Sequence, residues 1–206
     1  PITSQVLFNN NIFSVSFLKG SPNIDLKYSL NDGEWQQYTG PFKVNETTIL
    51  KARGYKNKKI YGEFQQKIIK HLATGKEVNY TFPYSKNYKG TGESNLVDGL
   101  VGSNENFRDG YYQGFSGTDI ELTINFEKTT NLSKIEIMFF QYYLSWIILP
   151  SSVSYSISND GKKFKEMETI THNIPLMKDG KFKHTFSFNS KNINTKYLKI
   201  NAKTVG

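Results

Sequence analysis

Residues 120–126 read Ile-Glu-Leu-Thr-Ile-Asn-Phe and alternate strictly between apolar and polar side chains. Successive side chains of a β-strand point to opposite faces, so this stretch predicts a strand with one face in a core and one in water. The same alternation recurs at residues 13–17, 24–30, 153–158 and 182–188. The pattern predicts a chain built mainly of strands.

Turn signals separate these strands. Asn31-Asp32-Gly33 follows the stretch at 24–30, and Asn159-Asp160-Gly161 follows the stretch at 153–158. Asp179-Gly180 precedes the stretch at 182–188. Such residues tolerate the positive φ that tight hairpin turns require. No stretch of ten or more residues keeps a helical apolar period with caps at both ends. Many short strands with regular turns are typical of β-sandwiches, so the predicted fold class is all-β.

Composition narrows the class of protein further. The chain has 206 residues, which is enough for one or two domains, and 15% of them are aromatic. It has no cysteine, which excludes disulfides, thiolate metal sites and cysteine nucleophiles. It has no run of about 18 apolar residues, so we expect no transmembrane segment. The first residue is proline rather than methionine, which indicates a piece of a longer protein.

The net charge of +8 favours acidic partners. The lysines are nevertheless spread along the chain, and the densest group, Lys56, Lys58 and Lys59, has the pattern of a hairpin turn. We therefore interpret the charge as a solvated surface and expect no nucleic-acid partner.

A change of character near residues 71–76 suggests a domain boundary. Strand patterns before it are compact, whereas residues 83–117 form a long irregular stretch rich in Gly, Asn, Ser and Tyr. We divide the chain into residues 1–72 and residues 73–206. Long structured loops on a β-sandwich are usually functional, so the second domain is expected to carry the functional surface.

The first domain resembles the small β-sandwich that follows the catalytic barrel in bacterial β-N-acetylhexosaminidases (chitobiases). The resemblance covers about residues 5–70 and rests on residues 26–33, 38–42 and 47–55, including a Tyr-Thr-Gly-Pro run and a Lys-Ala strand. It implies a small fibronectin- or immunoglobulin-like sandwich that acts as a spacer.

The second domain resembles the discoidin-like, coagulation-factor type C family, above all the version attached to glycoside hydrolases of Bacteroidetes. Many separated blocks carry the resemblance in order: residues 96–102, 109–115, 117–119, 139–141, 145–147, 150, 153–161 and 197–200. It implies a galactose-binding-like jelly-roll sandwich. Tyr112 stands where the family usually has Trp, and the chain ends before the acidic closing strand, so we expect a truncated domain.

The resemblance places ligands on loops at one end of the jelly roll. Sugars present apolar C–H faces, which aromatic rings cover, and hydroxyls, which Arg and amide groups meet with hydrogen bonds. The predicted carbohydrate-binding residues on two loop segments are Arg108, Tyr111, Tyr112, Gln141, Tyr143 and Trp146. Packing of Tyr112 and Trp146 in the core stays open as an alternative. Trp35, in the first domain, follows a hairpin turn and is expected to pack on a strand, with a ligand platform as the alternative.

A structural calcium ion is a further expectation from the resemblance. Discoidin-like domains often hold Ca²⁺ in an early loop, and the matching side chain is Asp98 in the run 96–99. Hard cations need several oxygen ligands from carboxylates and backbone carbonyls. The alternative is that Asp98 only caps the turn before Gly99.

No catalytic constellation is recognisable in the sequence. The three histidines, His71, His172 and His184, lack zinc-ligand spacing, and no pair of carboxylates stands out as acid and base. We therefore expect this segment not to be an enzyme.

These observations predict a non-catalytic carbohydrate-binding accessory region of a secreted glycoside hydrolase, with a β-N-acetylhexosaminidase as parent. The expected partners are a galactose- or N-acetylhexosamine-type glycan and the parent's catalytic domain, and we expect a monomer. The expected location is the periplasm, the outer membrane or the extracellular space. Two alternatives stay open: a purely structural brace for the catalytic domain, and a binder of an anionic glycan or lipid surface.

Overall fold

The computed structural model describes residues 2–205 and consists almost entirely of strands, which confirms the predicted all-β class. The strands are β1 (Ile2–Asn9), β2 (Ile12–Lys19), β3 (Asp25–Leu30), β4 (Gln36–Gln37), β5 (Phe42–Val44), β6 (Thr48–Lys56), β7 (Lys59–Ile68), β8 (Glu77–Tyr80), β9 (Leu100–Val101), β10 (Ile120–Gln141), β11 (Ser152–Ser158), β12 (Lys165–Thr171) and β13 (Phe182–Lys203). The helical segments within residues 2–205 are short 3₁₀ turns at Lys86–Tyr88, Asn95–Val97 and Tyr143–Ser145.

The chain forms two compact units. The first contains the chain up to Gly75 together with Leu96–Gly102, and the second contains Lys76–Asn95 and the chain from Ser103 onward. The first unit therefore includes a short segment that lies well beyond the boundary suggested by composition.

The first unit is a sandwich of two antiparallel sheets, with strand orders β1-β2-β5 and β4-β3-β6-β7-β9. The alternation of β2 and β6 turns their apolar side chains inward, because successive side chains face opposite sides. The buried cluster between the sheets contains Ile2, Phe13, Val15, Phe17, Leu26, Val44, Leu50, Ala52 and Ile68. The outward positions of β6 and β7 remain available for polar side chains.

Three hairpins of this unit turn through pairs of left-handed residues. In the turn after β3, the N–H of Gly33 donates to the carbonyl of Leu30 at 2.9 Å, and Asn31 and Asp32 have φ of 52° and 60°. These angles define a type I′ turn, whose twist matches that of the flanking strands. Asn31 and Asp32 therefore adopt the positive φ of this turn, although the neighbouring Gly33 is the residue type that adopts it most easily. Asn10–Asn11 and Asn57–Lys58 repeat the pattern.

The returning segment of the first unit is held by backbone pairing. β9 pairs with the end of β7, so that Leu100 lies opposite Ile68. The amide of Ile69 donates to the carbonyl of Gly99 at 2.7 Å, and that of Gly75 donates to the carbonyl of Val97 at 2.9 Å. These bonds pair the end of β7, where the edge of the sheet would otherwise be exposed.

The second unit is built on an antiparallel sheet in the order β12-β11-β13-β10-β8. β10 and β13 pair along most of their length, and register shifts at Asn125/Thr130 and Leu132/Lys134 divide this long ribbon. Bulges of this kind bend strands and increase their twist, as a jelly-roll sandwich requires. Its core includes Leu122, Phe126, Phe140, Leu149, Val153, Tyr155, Phe186, Leu198 and Ile200.

Candidate functional site

The end of β10 leads into a loop that projects aromatic and apolar side chains into solvent. After the 3₁₀ turn Tyr143–Ser145, Trp146 adopts a left-handed conformation with φ of 57°, and its N–H donates to the carbonyl of Tyr143 at 2.8 Å. Trp146 is 81% exposed and Leu144 is 70% exposed. The rings of Tyr143 and Trp146 lie 6.2 Å apart. Trp146 is therefore a surface residue, and the alternative that it packs the core is wrong.

A second loop brings Arg108 to the same end of the unit. The ring of Phe107 lies 6.3 Å from that of Tyr142, and the guanidinium of Arg108 lies 5.1 Å over the ring of Phe107. The side chain of Asp109 shapes this loop by accepting hydrogen bonds from the amides of Ser103 and Tyr111. Arg108 itself is exposed.

A third loop closes the group. The ammonium of Lys181 lies 5.4 Å over the ring of Tyr142 and donates to the carbonyl of Glu105 at 2.8 Å. Tyr142 thus contacts both neighbouring loops, and it joins the segment that carries Trp146 to the segment that carries Arg108. We call Arg108, Tyr143, Leu144, Trp146 and Lys181 the loop site.

Tyr111 and Tyr112 are half-buried, and Tyr112 is engaged with the protein. Its hydroxyl donates to the carbonyl of Ser103 at 2.6 Å, and its ring lies 5.1 Å from that of Phe140. Burial raises the pKa of Tyr112, and the nearby carboxylate of Asp109 raises it further. These contacts agree with the packing alternative for Tyr112, while Tyr111 stays a candidate on the edge of the site.

Gln141 has a structural role instead of the predicted role in binding hydroxyls. It is 1% exposed, and its amide nitrogen donates to the carbonyls of Pro175 and Leu176 at 3.3 and 3.1 Å. Its amide oxygen accepts from the N–H of Leu149 at 3.3 Å. A side chain this buried has no surface to offer to a sugar, so the prediction for Gln141 is corrected. It fixes the loop that exposes Leu176 and Met177.

Arginine and lysine side chains are more concentrated around these loops than the even distribution of lysines along the sequence suggests. Four of them lie over aromatic rings of the second unit at distances of 4.5–5.8 Å: Arg108 over Phe107, Lys178 over Phe182, Lys181 over Tyr142 and Lys183 over Tyr112. Each ring attracts its cation through the negative face of its π-system. The loops consequently combine apolar surface with positive charge.

Asp98 belongs to the first unit, whereas the residues of the loop site belong to the second. Its carboxylate accepts the N–H of Leu100 at 2.7 Å, and Gly99 between them has φ of 79°. Asp98 therefore caps a turn. Within residues 2–205, no three acidic or histidine side chains gather as a metal site. Calcium binding at Asp98 stays a prediction that rests on the resemblance.

Sequence reasoning missed three residues around the site. Leu144, Met177 and Lys181 lie beside recognisable segments, but none of them belongs to a motif. Only their location in the sequence could have identified them, because each lies in a loop that directly follows or precedes a long strand.

The fold and these loops define a discoidin-like β-sandwich module. The chain belongs to the F5/8 type C domain family, whose model matches residues 75–206. This confirms the discoidin-like resemblance. No curated protein matches the chain. None of the described helices is long and apolar enough to cross a membrane.

Several solved structures are similar in fold. Chitosan-binding module 1 of a chitosanase/glucanase from Paenibacillus sp. IK-5 is 15% identical, covers 66% of this chain and 87% of its own, and has a TM-score of 0.41. CBM32-1 of a family 31 glycoside hydrolase from Clostridium perfringens is 17% identical over 64% and 86%, with a TM-score of 0.37. The C-terminal domain of a chitobiase from Bacteroides fragilis is 14% identical over 62% and 81%, with a TM-score of 0.37.

Proposed function

We propose that the second unit is a non-catalytic carbohydrate-binding module and that it binds glycan at the loop site. The observation that carries this proposal is the exposure of Trp146 beside Tyr143 and on the same group of loops as Arg108. Trp146 exposes 81% of its surface to solvent, so the free protein gains little hydrophobic stabilisation from this side chain. A ligand that covers the ring removes this apolar surface from water and is stabilised by doing so.

The loop site offers both kinds of contact that a pyranose needs. Trp146 and Tyr143 provide apolar ring surface for the C–H face of a sugar. The guanidinium of Arg108 supplies a planar fork of N–H donors that suits pairs of neighbouring hydroxyls. The expected ligand is a glycan that ends in galactose or N-acetylhexosamine.

The wider role that we propose is tethering. A module of this kind raises the local concentration of substrate around a linked catalytic domain, even when each contact is weak. We propose an exported glycoside hydrolase of the β-N-acetylhexosaminidase type as the parent protein, with the first unit as spacer. This part of the proposal rests on the resemblance of the two domains and not on the site.

An anionic glycan or lipid surface is the second candidate. The cations Lys178, Lys181 and Lys183, each over an aromatic ring, favour it. An acidic ligand would be attracted by charge, so its binding would weaken strongly as salt is added.

The test is a glycan-array screen of the whole chain and of two variants. Trp146→Ala removes the proposed platform, and we expect its affinity to fall by at least about tenfold. Tyr61→Ala is the matched control, because Tyr61 is also an exposed aromatic residue but lies in the first unit.

The outcomes separate the candidates. Binding to neutral galactose- or N-acetylhexosamine-ended glycans that Trp146→Ala loses and Tyr61→Ala keeps supports the module. If a folded sample binds no glycan on the array, the carbohydrate-binding module is contradicted and the structural brace is favoured. Binding that is confined to sulfated or uronic-acid glycans favours the anionic-surface candidate.

A further inference from the structure

The outer face of the first unit carries a groove that has no role in the loop site. It encloses about 330 Å³ on the five-stranded sheet, within the range of small-ligand sites. The side chains that matter for its chemistry are Trp35, Lys51, Arg53, Glu63 and Gln65. We call them the sheet groove.

Strand alternation explains why these side chains face outward together. Leu50 and Ala52 of β6 are buried in the core. Lys51 and Arg53 alternate with them along the strand and therefore point to the opposite face. In the pairing of β6 with β7, Lys51 lies opposite Gln65 and Arg53 lies opposite Glu63. Two cross-strand pairs therefore form the floor of the groove.

Trp35 forms a wall of the groove on the outward face of the sheet, against Arg53 of β6. It is 37% exposed and is absent from the buried cluster of the first unit. The guanidinium of Arg53 lies 4.5 Å over its ring. Arg53 is in turn held by Glu63, whose carboxylate accepts from Nε at 2.7 Å and raises the pKa of Arg53. The indole is thus held in a defined orientation at the surface.

The charges of the groove are paired. Arg53 forms an ion pair with Glu63, and Lys51 forms one with Asp32. The groove consequently offers donors from Arg53, Lys51 and Gln65 and acceptors from Glu63 and Gln65, with little net charge. Such a surface suits a ligand that is rich in hydroxyls and uncharged, and it discriminates against phosphate or an acidic glycan.

We propose that the sheet groove is a second carbohydrate-binding site, for a short neutral glycan. Trp35 covers the apolar face of one sugar ring, while the Arg53–Glu63 pair and Gln65 meet its hydroxyls. This site lies in the first unit and shares no residue with the loop site, so neither proposal depends on the other. It makes the proposed spacer a binding unit in its own right.

The chain contains two tryptophans, and each lies in one of the two candidate sites. Trp146→Phe leaves Trp35 as the sole tryptophan reporter, and Trp35→Phe leaves Trp146. The full-length variants are titrated with N-acetylated chitotetraose, cellotetraose and β-1,4-galactotetraose while tryptophan emission is recorded. We expect a saturable change in the Trp35 emission of Trp146→Phe with at least one of these neutral probes.

Two further variants identify the groove as the binding site. In the Trp146→Ala background, calorimetry with the same probe is repeated after Gln65→Ala, for which we expect binding about two- to tenfold weaker, and after Tyr61→Ala, for which we expect no change. Gln65 is an exposed side chain on a strand surface, so its removal leaves the fold intact even if Trp35→Phe does not fold.

The results decide the two sites separately. If Trp35 emission stays constant with every probe while Trp146 emission responds, the sheet-groove proposal is wrong and the loop site stands. If only Trp35 responds, the loop-site proposal is wrong instead. Equal affinity of the Gln65→Ala variant and its parent would also overturn the sheet groove.

Discussion

His172 and His184 form a contact pair in the second unit that neither candidate site uses. The N–H of Ile174 donates to Nδ1 of His172 at 3.0 Å, so the proton of a neutral His172 lies on Nε2, which is 3.0 Å from the carbonyl of Pro150. The two imidazole rings lie 5.5 Å apart, and Phe186 contacts both. Burial lowers the pKa of His184, and the neighbouring His172 and Lys178 lower it further.

This pair predicts a loss of stability in mild acid. The pKa of His184 in the folded chain lies below its ordinary value of 6.5, so the unfolded chain binds the proton more readily. Its stabilising contribution is complete above that value and disappears as pH falls through the folded pKa. We expect the Tm to fall between about pH 7 and about pH 5.

The comparison that checks it is the same pH series on His184→Gln, which should show a shallower fall in Tm. Asp119 and Asp160 do not confuse the result, because hydrogen bonds lower the pKa of both carboxyls below 3.8 and they titrate in stronger acid. Identical slopes for the wild type and the variant would contradict the assignment to His184.

Asp98 gives a second prediction at the scale of one residue. An asparagine can accept the N–H of Leu100 as the carboxylate does, so Asp98→Asn should keep the stability of the wild type. Asp98→Ala loses the cap and should cost about 0.5–2 kcal/mol of unfolding free energy, as lost caps do elsewhere. Thermal melts with calcium and with a chelator complete the test. A calcium-dependent rise in the Tm that Asp98→Asn abolishes would favour the metal reading instead.

The sequence could predict the kinds of residue at the loop site better than their roles. Gln141 and Trp146 are five positions apart and both looked like ligand contacts. Gln141 is the last residue of β10 and faces inward, where it satisfies backbone groups, whereas Trp146 lies beyond a 3₁₀ turn in the left-handed region. Gln141 is buried and Trp146 is exposed because of the left-handed backbone conformation at Trp146. The alternation of apolar and polar residues in the sequence does not reveal this conformation.

At the scale of elements, alternation predicted where strands lie but not how long they are. The stretches at 120–126 and 182–188 are parts of β10 and β13, which each run much further. Register shifts at Asn125/Thr130 and Leu132/Lys134 interrupt the period of two, so the pattern fades while the pairing continues. The short strand β9 was also missed, because two residues carry no period.

The segment that carries β9 depends on one glycine. Gly99 has φ of 79°, and a Cβ there would lie 2.5 Å from the carbonyl oxygen of Ile69. Gly99→Ala should therefore add a steric clash to the strain of a left-handed residue and cost about 3 kcal/mol or more. Gly180→Ala is the control, because its φ of 86° is similar but a Cβ would meet nothing within 4 Å. It should cost only about 1–2 kcal/mol.

Hydrogen exchange locates the effect of this substitution. The amides of Ile69 and Gly75 donate to the carbonyls of Gly99 and Val97, so their protection should fall in Gly99→Ala and not in Gly180→Ala. Unchanged protection of both amides would show that the segment holds without Gly99.

At the scale of the whole molecule, charge and aromatic surface lead to different expectations for binding. The net charge of +8 attracts any polyanion from a distance, and the cations around the loop site strengthen this attraction locally. Ring stacking and hydrogen bonds to a neutral sugar act at contact distance and are little affected by mobile ions. Salt therefore separates ordinary attraction to polyanions from the proposed recognition of a glycan.

We expect the affinity for a neutral galactose- or N-acetylhexosamine-ended glycan to stay nearly constant from about 50 mM to about 500 mM salt, because the Debye length shortens without changing its contacts. Heparin should bind at the lower concentration and dissociate at the higher one. Lys181→Ala should weaken heparin binding more than Lys196→Ala, since Lys196 also lies over a ring but belongs to β13 away from the loops. Calorimetry across the salt series measures both affinities. Neutral-glycan binding that collapses with salt would mean that charge rather than Trp146 dominates recognition, and the anionic-surface candidate would then replace the carbohydrate-binding module.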